Sequence, residues 1–122
     1  MLFASMLKKV YTIGSLANTD DGFRFALKNR LLDAELLGVR RVAVDGCDVS
    51  LDGAYLRTDD GRVVRPEDVS DASPLAFDLG RAFEVHVRGE RLTPGPHALE
   101  IAFDARPFGA LTLAVEDTLV AA

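Results

Sequence analysis

Two histidines, His86 and His97, are the side chains of this sequence best suited to acid–base or metal chemistry. The alternation of residue types around them predicts neighbouring strands of one hairpin, on which the two rings could converge. A metal site would still require a third ligand, such as Glu84 or Glu100. A small enzyme that uses one histidine with a nearby carboxylate is therefore one hypothesis. For the isolated chain we expect no tightly bound metal and no cofactor.

Each histidine also has a structural interpretation, which we favour. His86 lies on the same side of a predicted strand as Glu84 and Arg88, so it points away from the core, as a solvated or interface residue. His97 directly follows the Pro94-Gly95-Pro96 turn, where a hydrogen bond from the ring would cap that turn. On this interpretation the chain has no catalytic residue.

The remaining reactive groups indicate no active site. Cys47 lies between Asp45 and Asp48, whose carboxylates disfavour the thiolate form, so we interpret it as a passive thiol. A single cysteine excludes an internal disulfide and a multi-cysteine metal site. The sequence has no phosphate-binding glycine loop, no dinucleotide-binding fingerprint and no nucleophile elbow.

Charge and hydropathy exclude several classes of protein. The 122 residues include 14 Lys and Arg and 19 Asp and Glu, for a net charge of −5. A nucleic-acid-binding protein needs a basic surface, which this balance disfavours. No apolar run approaches the length of a transmembrane helix. The short apolar N-terminal stretch precedes its positive charges, unlike a signal peptide, so we expect a cytoplasmic protein.

Alternation of apolar and polar residues with period two predicts the fold. It runs through residues 23–28, 41–44, 83–88, 99–104 and 111–116, as expected for strands with one buried face. Asp-Gly and Pro-Gly turn signals separate these runs. We predict an all-β protein, a single antiparallel β-sandwich, jelly-roll or Ig-like, of seven to nine strands. The predicted inward side chains are Phe23, Phe25, Leu27, Val42, Val44, Phe83, Val85, Val87, Leu99, Ile101, Phe103, Leu111, Leu113 and Val115.

The sandwich is predicted as one domain over residues 7–122, preceded by a loose N-terminal extension at residues 1–6. Residues 10–13 are β-branched and aromatic and are a further strand candidate. Residues 29–37 allow either a helical turn or a strand joined to a loop. Residues 66–69 are typical of a short helical turn that begins at proline.

The outward-facing residues of the predicted strands form a candidate interface. Alanines leave room for an approaching surface, and charged groups set the orientation of a partner. The alternative is that this face is simply solvated. The candidate interface consists of Glu84, His86, Arg88, Glu100, Ala102, Asp104, Thr112 and Ala114.

Short motifs occur in a characteristic order between residues 6 and 119. They include the Gly22-Phe23-Arg24-Phe25 strand, the Val44-Asp45-Gly46 turn, the segment 65–70 and the turn at residues 92–97. In this order the chain resembles the small β-subunits of bacterial C-glycoside deglycosidases and related domain-of-unknown-function proteins.

That resemblance implies a role that depends on a partner. The expected partner is a sugar-isomerase-like α-subunit, a TIM barrel with a divalent metal, which cleaves the carbon–carbon bond between an aglycone and a 3-keto sugar. This chain would then be the non-catalytic accessory subunit of a sugar-processing lyase. The resemblance implies no catalytic, cofactor-binding or metal-binding residue here. The alternative is a stand-alone homo-oligomeric β-sandwich that binds or supports other molecules.

Overall fold

The computed structural model describes residues 6–120, which form two antiparallel β-sheets. In chain order the strands are β1 (Ala17–Thr19), β2 (Gly22–Lys28), β3 (Glu35–Val44), β4 (Cys47–Val49), β5 (Tyr55–Thr58), β6 (Val63–Val64), β7 (Leu75–Ala76), β8 (Ala82–Arg88), β9 (Gly95–Arg106) and β10 (Gly109–Leu119). Sheet A has the order β1-β2-β8-β5-β6. Sheet B has the order β10-β9-β3-β4, with β7 paired to β3.

The predicted all-β sandwich is confirmed, with about ten strands instead of seven to nine. The strands outside the predicted runs have two to four residues each, too short to produce a clear alternating pattern: β1, β4, β5, β6 and β7. Residues 29–34 are a loop that leads into β3 at Glu35, in agreement with the predicted alternative of a loop joined to a strand, and a 3₁₀ helix at Pro66–Asp68 matches the predicted proline-initiated turn. Across residues 6–120, no helix has the length and apolarity needed to cross a membrane.

The strand predicted for residues 10–13 is wrong. A 3₁₀ helix occupies Lys8–Val10, and Tyr11 then forms a single isolated bridge to Leu27 of β2. Val10 and Tyr11 are buried in the core, so their apolar character serves packing and not a ladder of hydrogen bonds. Of the extension predicted at residues 1–6, all but Met6 lies outside the described residues.

The core fills the space between the sheets with alternate side chains of the long strands. Phe25 and Val42, on opposite sheets, are both 0% exposed. All the predicted inward residues are buried except Leu111 and Val115, which are half-buried and pack against the same cluster. The period-two pattern therefore assigns the inward face of each strand correctly.

A close approach of strands β2 and β8 requires glycine at position 22. A Cβ atom built at this position would lie 1.9 Å from the carbonyl oxygen of Val87 on the neighbouring strand β8. Only glycine fits there without moving the backbone. The glycine that opens the Gly22-Phe23-Arg24-Phe25 motif is thus explained by the packing of β2 against β8.

Candidate functional site

The eight predicted interface residues do not share one surface. Glu84, His86 and Arg88 lie on β8, and they face outward from sheet A. The other five lie on β9 and β10, on the outward side of sheet B. The two outer faces are on opposite sides of the sandwich. Periodicity predicted that these residues face away from the core, but it carries no information about which sheet each strand joins.

The outer face of sheet A carries a compact polar cluster around His86. The ring stacks on Tyr55 of β5, with centroids 4.5 Å apart and planes 8° from parallel. His86 Nε2 lies 2.9 Å from Glu84 Oε1, and Arg24 Nη1 donates to Glu84 Oε2 at 2.7 Å. The hydrogen bond from His86 is the main cause that lowers the pKa of Glu84 below its ordinary value. These contacts place His86 where the sequence predicted it, outside the core.

The outer face of sheet B is organised by Arg41 of β3. Its Nε donates to Asp48 Oδ1 at 2.6 Å, and its Nη1 donates to Glu100 Oε1 at 3.0 Å. Ala43 lies between these two carboxylates in the strand register and is only 1% exposed although it faces outward. The guanidinium thus links three strands above an alanine. The hydrogen bond to Asp48, followed by that to Glu100, raises the pKa of Arg41.

Further charges on the outer face of sheet B are also paired. Arg40 lies 3.3 Å from Asp104, and Arg106 lies 3.0 Å from Glu35. Glu116 forms no ion pair with any residue in the range 6–120. Carboxylates outnumber guanidinium groups on this face, and Lys8 and Lys9 line hollows that also contain Glu116. Small residues lie between the charges: Gly38, Ala43, Ala98, Ala102, Ala110 and Ala114.

His97 joins two turns at one end of the sandwich. Its Nδ1 lies 2.7 Å from Asp45 Oδ2, and its Nε2 lies 2.7 Å from the carbonyl oxygen of Thr93. Both partners accept hydrogen bonds, so this geometry is fully satisfied when both ring nitrogens donate, which favours the imidazolium form. The pKa of His97 is raised above its ordinary value, mainly by the hydrogen bond to Thr93 and next by the hydrogen bond to Asp45. The predicted cap of the turn is confirmed.

The two histidines are not brought together. His86 lies on the outer face of sheet A, whereas His97 is buried on the inner side of sheet B at 7% exposure. Within residues 6–120, no group of three or more His, Cys, Asp or Glu side chains is arranged to hold a metal ion. Cys47 is an exposed free thiol at the start of β4.

The stability of the protein should fall as the pH rises through the titration of His97. A raised folded-state pKa contributes stability that is fully present below the unfolded value, about 6.5, and is lost as the pH rises through the folded value. Thermal unfolding of the wild type and of His97→Gln between pH 5 and 9 measures this. The wild-type advantage should shrink with rising pH. A difference between the two proteins that does not change with pH would contradict the imidazolium assignment.

Sequence reasoning missed a buried carboxylate, Asp117 on β10. It accepts hydrogen bonds from Tyr11 Oη at 2.7 Å, from Gly14 N at 3.0 Å and from Leu16 N at 3.2 Å. Burial raises the pKa of Asp117, but these hydrogen bonds outweigh it and the pKa lies below its ordinary value. Asp117 shares the inward register of Leu113, and an acid at an inward position was the available signal. It fastens the N-terminal segment to sheet B.

Comparison with known proteins gives one family. The model of the hydroxymethylglutaryl-CoA reductase N-terminal domain matches residues 6–120. No curated protein matches the chain. The resemblance to the β-subunits of C-glycoside deglycosidases is therefore wrong, and the sugar substrate and lyase activity that it implied lose their basis.

The motifs behind that resemblance have a general structural cause. Asp45 and Gly46 adopt φ angles of 52° and 85° in a tight turn, and Gly95 adopts a φ of 119°. Asp-Gly and Pro-Gly sequences are favoured wherever a chain must reverse with such angles. Gly22 is fixed by the contact with Val87. Motifs that the geometry of turns and strand contacts imposes can recur in unrelated β-sandwiches.

Proposed function

The chain belongs to the hydroxymethylglutaryl-CoA reductase N-terminal domain family, and we propose that it is a non-catalytic accessory unit of a reductase acting on hydroxymethylglutaryl-CoA. It would bind the catalytic part of that enzyme through the outer face of sheet B. The description of the family supports the proposed substrate class. The charges on this chain support the proposed mode of action.

The observation that carries the proposal is the bridge from Arg41 to Asp48 and Glu100. It fixes three charged groups across β3, β4 and β9 before any partner arrives. Charges that are already ordered lose little conformational entropy on binding, and they define orientation and partner choice. The residues around the bridge have small side chains, so another protein surface can approach this face closely.

The charge balance of this face specifies its partner. Glu116 is unpaired among the described residues, and Arg41 is shared by two carboxylates. The complementary surface on the catalytic chain should therefore be basic. Because these charges are largely solvent-exposed, the association should weaken as salt concentration increases.

A non-catalytic role is also supported by what the buried polar groups do. Both nitrogens of His97 hold turns, and Asp117 holds the N-terminal segment. Asn29 donates to the carbonyl oxygens of Leu32 and Phe77, which fixes the loop before β3. The hydrogen bonds of these side chains hold turns and loops of the fold in place.

We propose the cytoplasm as the compartment. Cys47 is the single cysteine of the chain, and its thiol is exposed and free. An exposed thiol is retained most readily in a reducing compartment.

The partner surface can be tested with the same substitution on opposite faces. Glu100→Arg removes a carboxylate that pairs with Arg41 and places a positive charge toward a basic partner. We expect it to weaken binding to the catalytic chain of a hydroxymethylglutaryl-CoA reductase at least about tenfold. Glu84→Arg is the matched control, since Glu84 also pairs with an arginine but lies on sheet A.

Titration calorimetry at low and high salt measures both variants against the wild type. Binding by Glu84→Arg should stay within about twofold of the wild type, because the opposite face is not involved. Equal weakening by the two substitutions, or no binding by the wild type at low salt, would contradict the proposed surface.

A further inference from the structure

The edge strand β10 differs from the other strand edges of the sandwich. The other strands at the edges of the two sheets contain only two or three residues each: β1, β4, β6 and β7. Strand β10 contains 11 residues, and among the described residues its only ladder partner is β9. Very short edge strands resist pairing with other chains, whereas a long one offers a row of free backbone donors and acceptors.

The first part of β10 has none of the usual protections of an edge. Residues 109–115 include no charged residue and no proline. Their register with β9 is continuous, without a bulge. The 3₁₀ helix Lys8–Val10 lies near β10, and Lys8 lines one hollow with Ala114, Val115 and Glu116. Among the described residues, however, no backbone hydrogen bond joins residues 109–115 to any element other than β9. Natural edges are commonly blunted by charges, proline or bulges.

We propose that β10 is a dimerisation edge, at which two copies of this chain pair residues 109–115 in antiparallel orientation about Thr112. Pairing of a strand with its own copy in this orientation produces a closed two-fold interface, which does not propagate into a fibre. The two sheets B would become one continuous sheet. This inference rests on the edge of β10 and is independent of the proposed function.

The charges at the ends of β10 favour this register. With Thr112 on the axis, Glu116 lies opposite Phe108 of the second copy, beside the turn that carries Arg106. No like charges then face one another, and Glu116 approaches Arg106 of the second copy, which pairs with Glu35 in its own chain. A register moved toward the C-terminus would bring the two Glu116 side chains together, and like charges directly opposite are unfavourable.

A cross-link tests the axis. In a Cys47→Ser background, Thr112→Cys places the two new thiols opposite each other, within the separation that a disulfide spans. We expect a disulfide-linked dimer under mild oxidation. Thr118→Cys in the same background is the control, because this exposed residue of the same strand lies far from its copy in the paired register. A dimer from Thr118→Cys and none from Thr112→Cys would overturn the proposal.

Sedimentation of the full chain tests the same edge without chemistry. Thr112→Lys places two positive charges on the axis and should raise the dimer dissociation constant at least about tenfold. Thr112→Ser should leave it within about twofold, and circular dichroism should show the same fold for all three proteins. A wild type that stays monomeric at every concentration, or a Thr112→Lys dimer as tight as the wild type, would refute the edge.

Discussion

Replacing Phe25 with alanine should lower the free energy of unfolding by about 3–5 kcal/mol, the range for deletion of a buried aromatic side chain. Phe25 is 0% exposed, lies opposite Val85 in the register of β2 and β8, and has the Tyr11 ring at a centroid distance of 6.0 Å. The truncation would leave a cavity between the two sheets that the neighbouring strands cannot fill. Urea denaturation monitored by circular dichroism measures the change.

The exposed Lys28 at the end of the same strand provides the control. Lys28→Ala removes a solvated side chain and should change the stability by less than about 0.5 kcal/mol. A loss below about 1 kcal/mol for Phe25→Ala, or similar effects of the two substitutions, would contradict the assignment of the inward face.

Asp117→Ala should be comparably destabilising, by about 3 kcal/mol, because each buried donor left without a partner costs about 1–3 kcal/mol. The substitution leaves the Tyr11 hydroxyl and the amide of Leu16 without their acceptor. The lowered pKa of Asp117 means that its contribution is present above the unfolded value of about 3.9 and is lost as the pH falls through the folded value. Denaturant unfolding at pH 7 and pH 3 measures both effects.

A double-mutant cycle separates this network from general packing. Tyr11→Phe removes only the hydroxyl and should cost about 1 kcal/mol. Combined with Asp117→Ala, it should cost less than the sum of the single changes, because the two residues share a hydrogen bond. Strict additivity would show that the two side chains do not act together.

Period two was sufficient to predict the class of fold and the buried face of each long strand. The strand prediction at residues 10–13 rested on local propensity instead, and that propensity was overridden by a contact with Asp117, more than a hundred residues away in sequence. Period two also missed five strands of two to four residues, which are too short to show a clear alternation: β1, β4, β5, β6 and β7. In each case the deciding interaction is tertiary and leaves no local pattern.

The candidate site was less predictable for a related reason. The sequence placed Glu84 and Glu100 outward but on one face, whereas strand pairing separates them onto opposite sheets. The bridge from Arg41 to Glu100 joins β3 to β9, and no residue spacing in the sequence predicts that these two strands are neighbours. The turn cap by His97 was predictable because its partner Thr93 is local. Local turn geometry could be predicted from the sequence, whereas the sheet to which each strand belongs could not.

The most direct test of the accessory role is the rate of hydroxymethylglutaryl-CoA reduction in a reconstituted system. The rate is measured for the catalytic chain of a reductase of this substrate, for this chain alone and for the two together, with Glu100→Arg and Glu84→Arg in parallel. We expect no turnover by this chain alone, a change in the rate of the catalytic chain on its addition, and loss of that change in Glu100→Arg only. Turnover by this chain alone, or a rate of the catalytic chain that does not change when this chain is added, would contradict the role proposed for the outer face of sheet B.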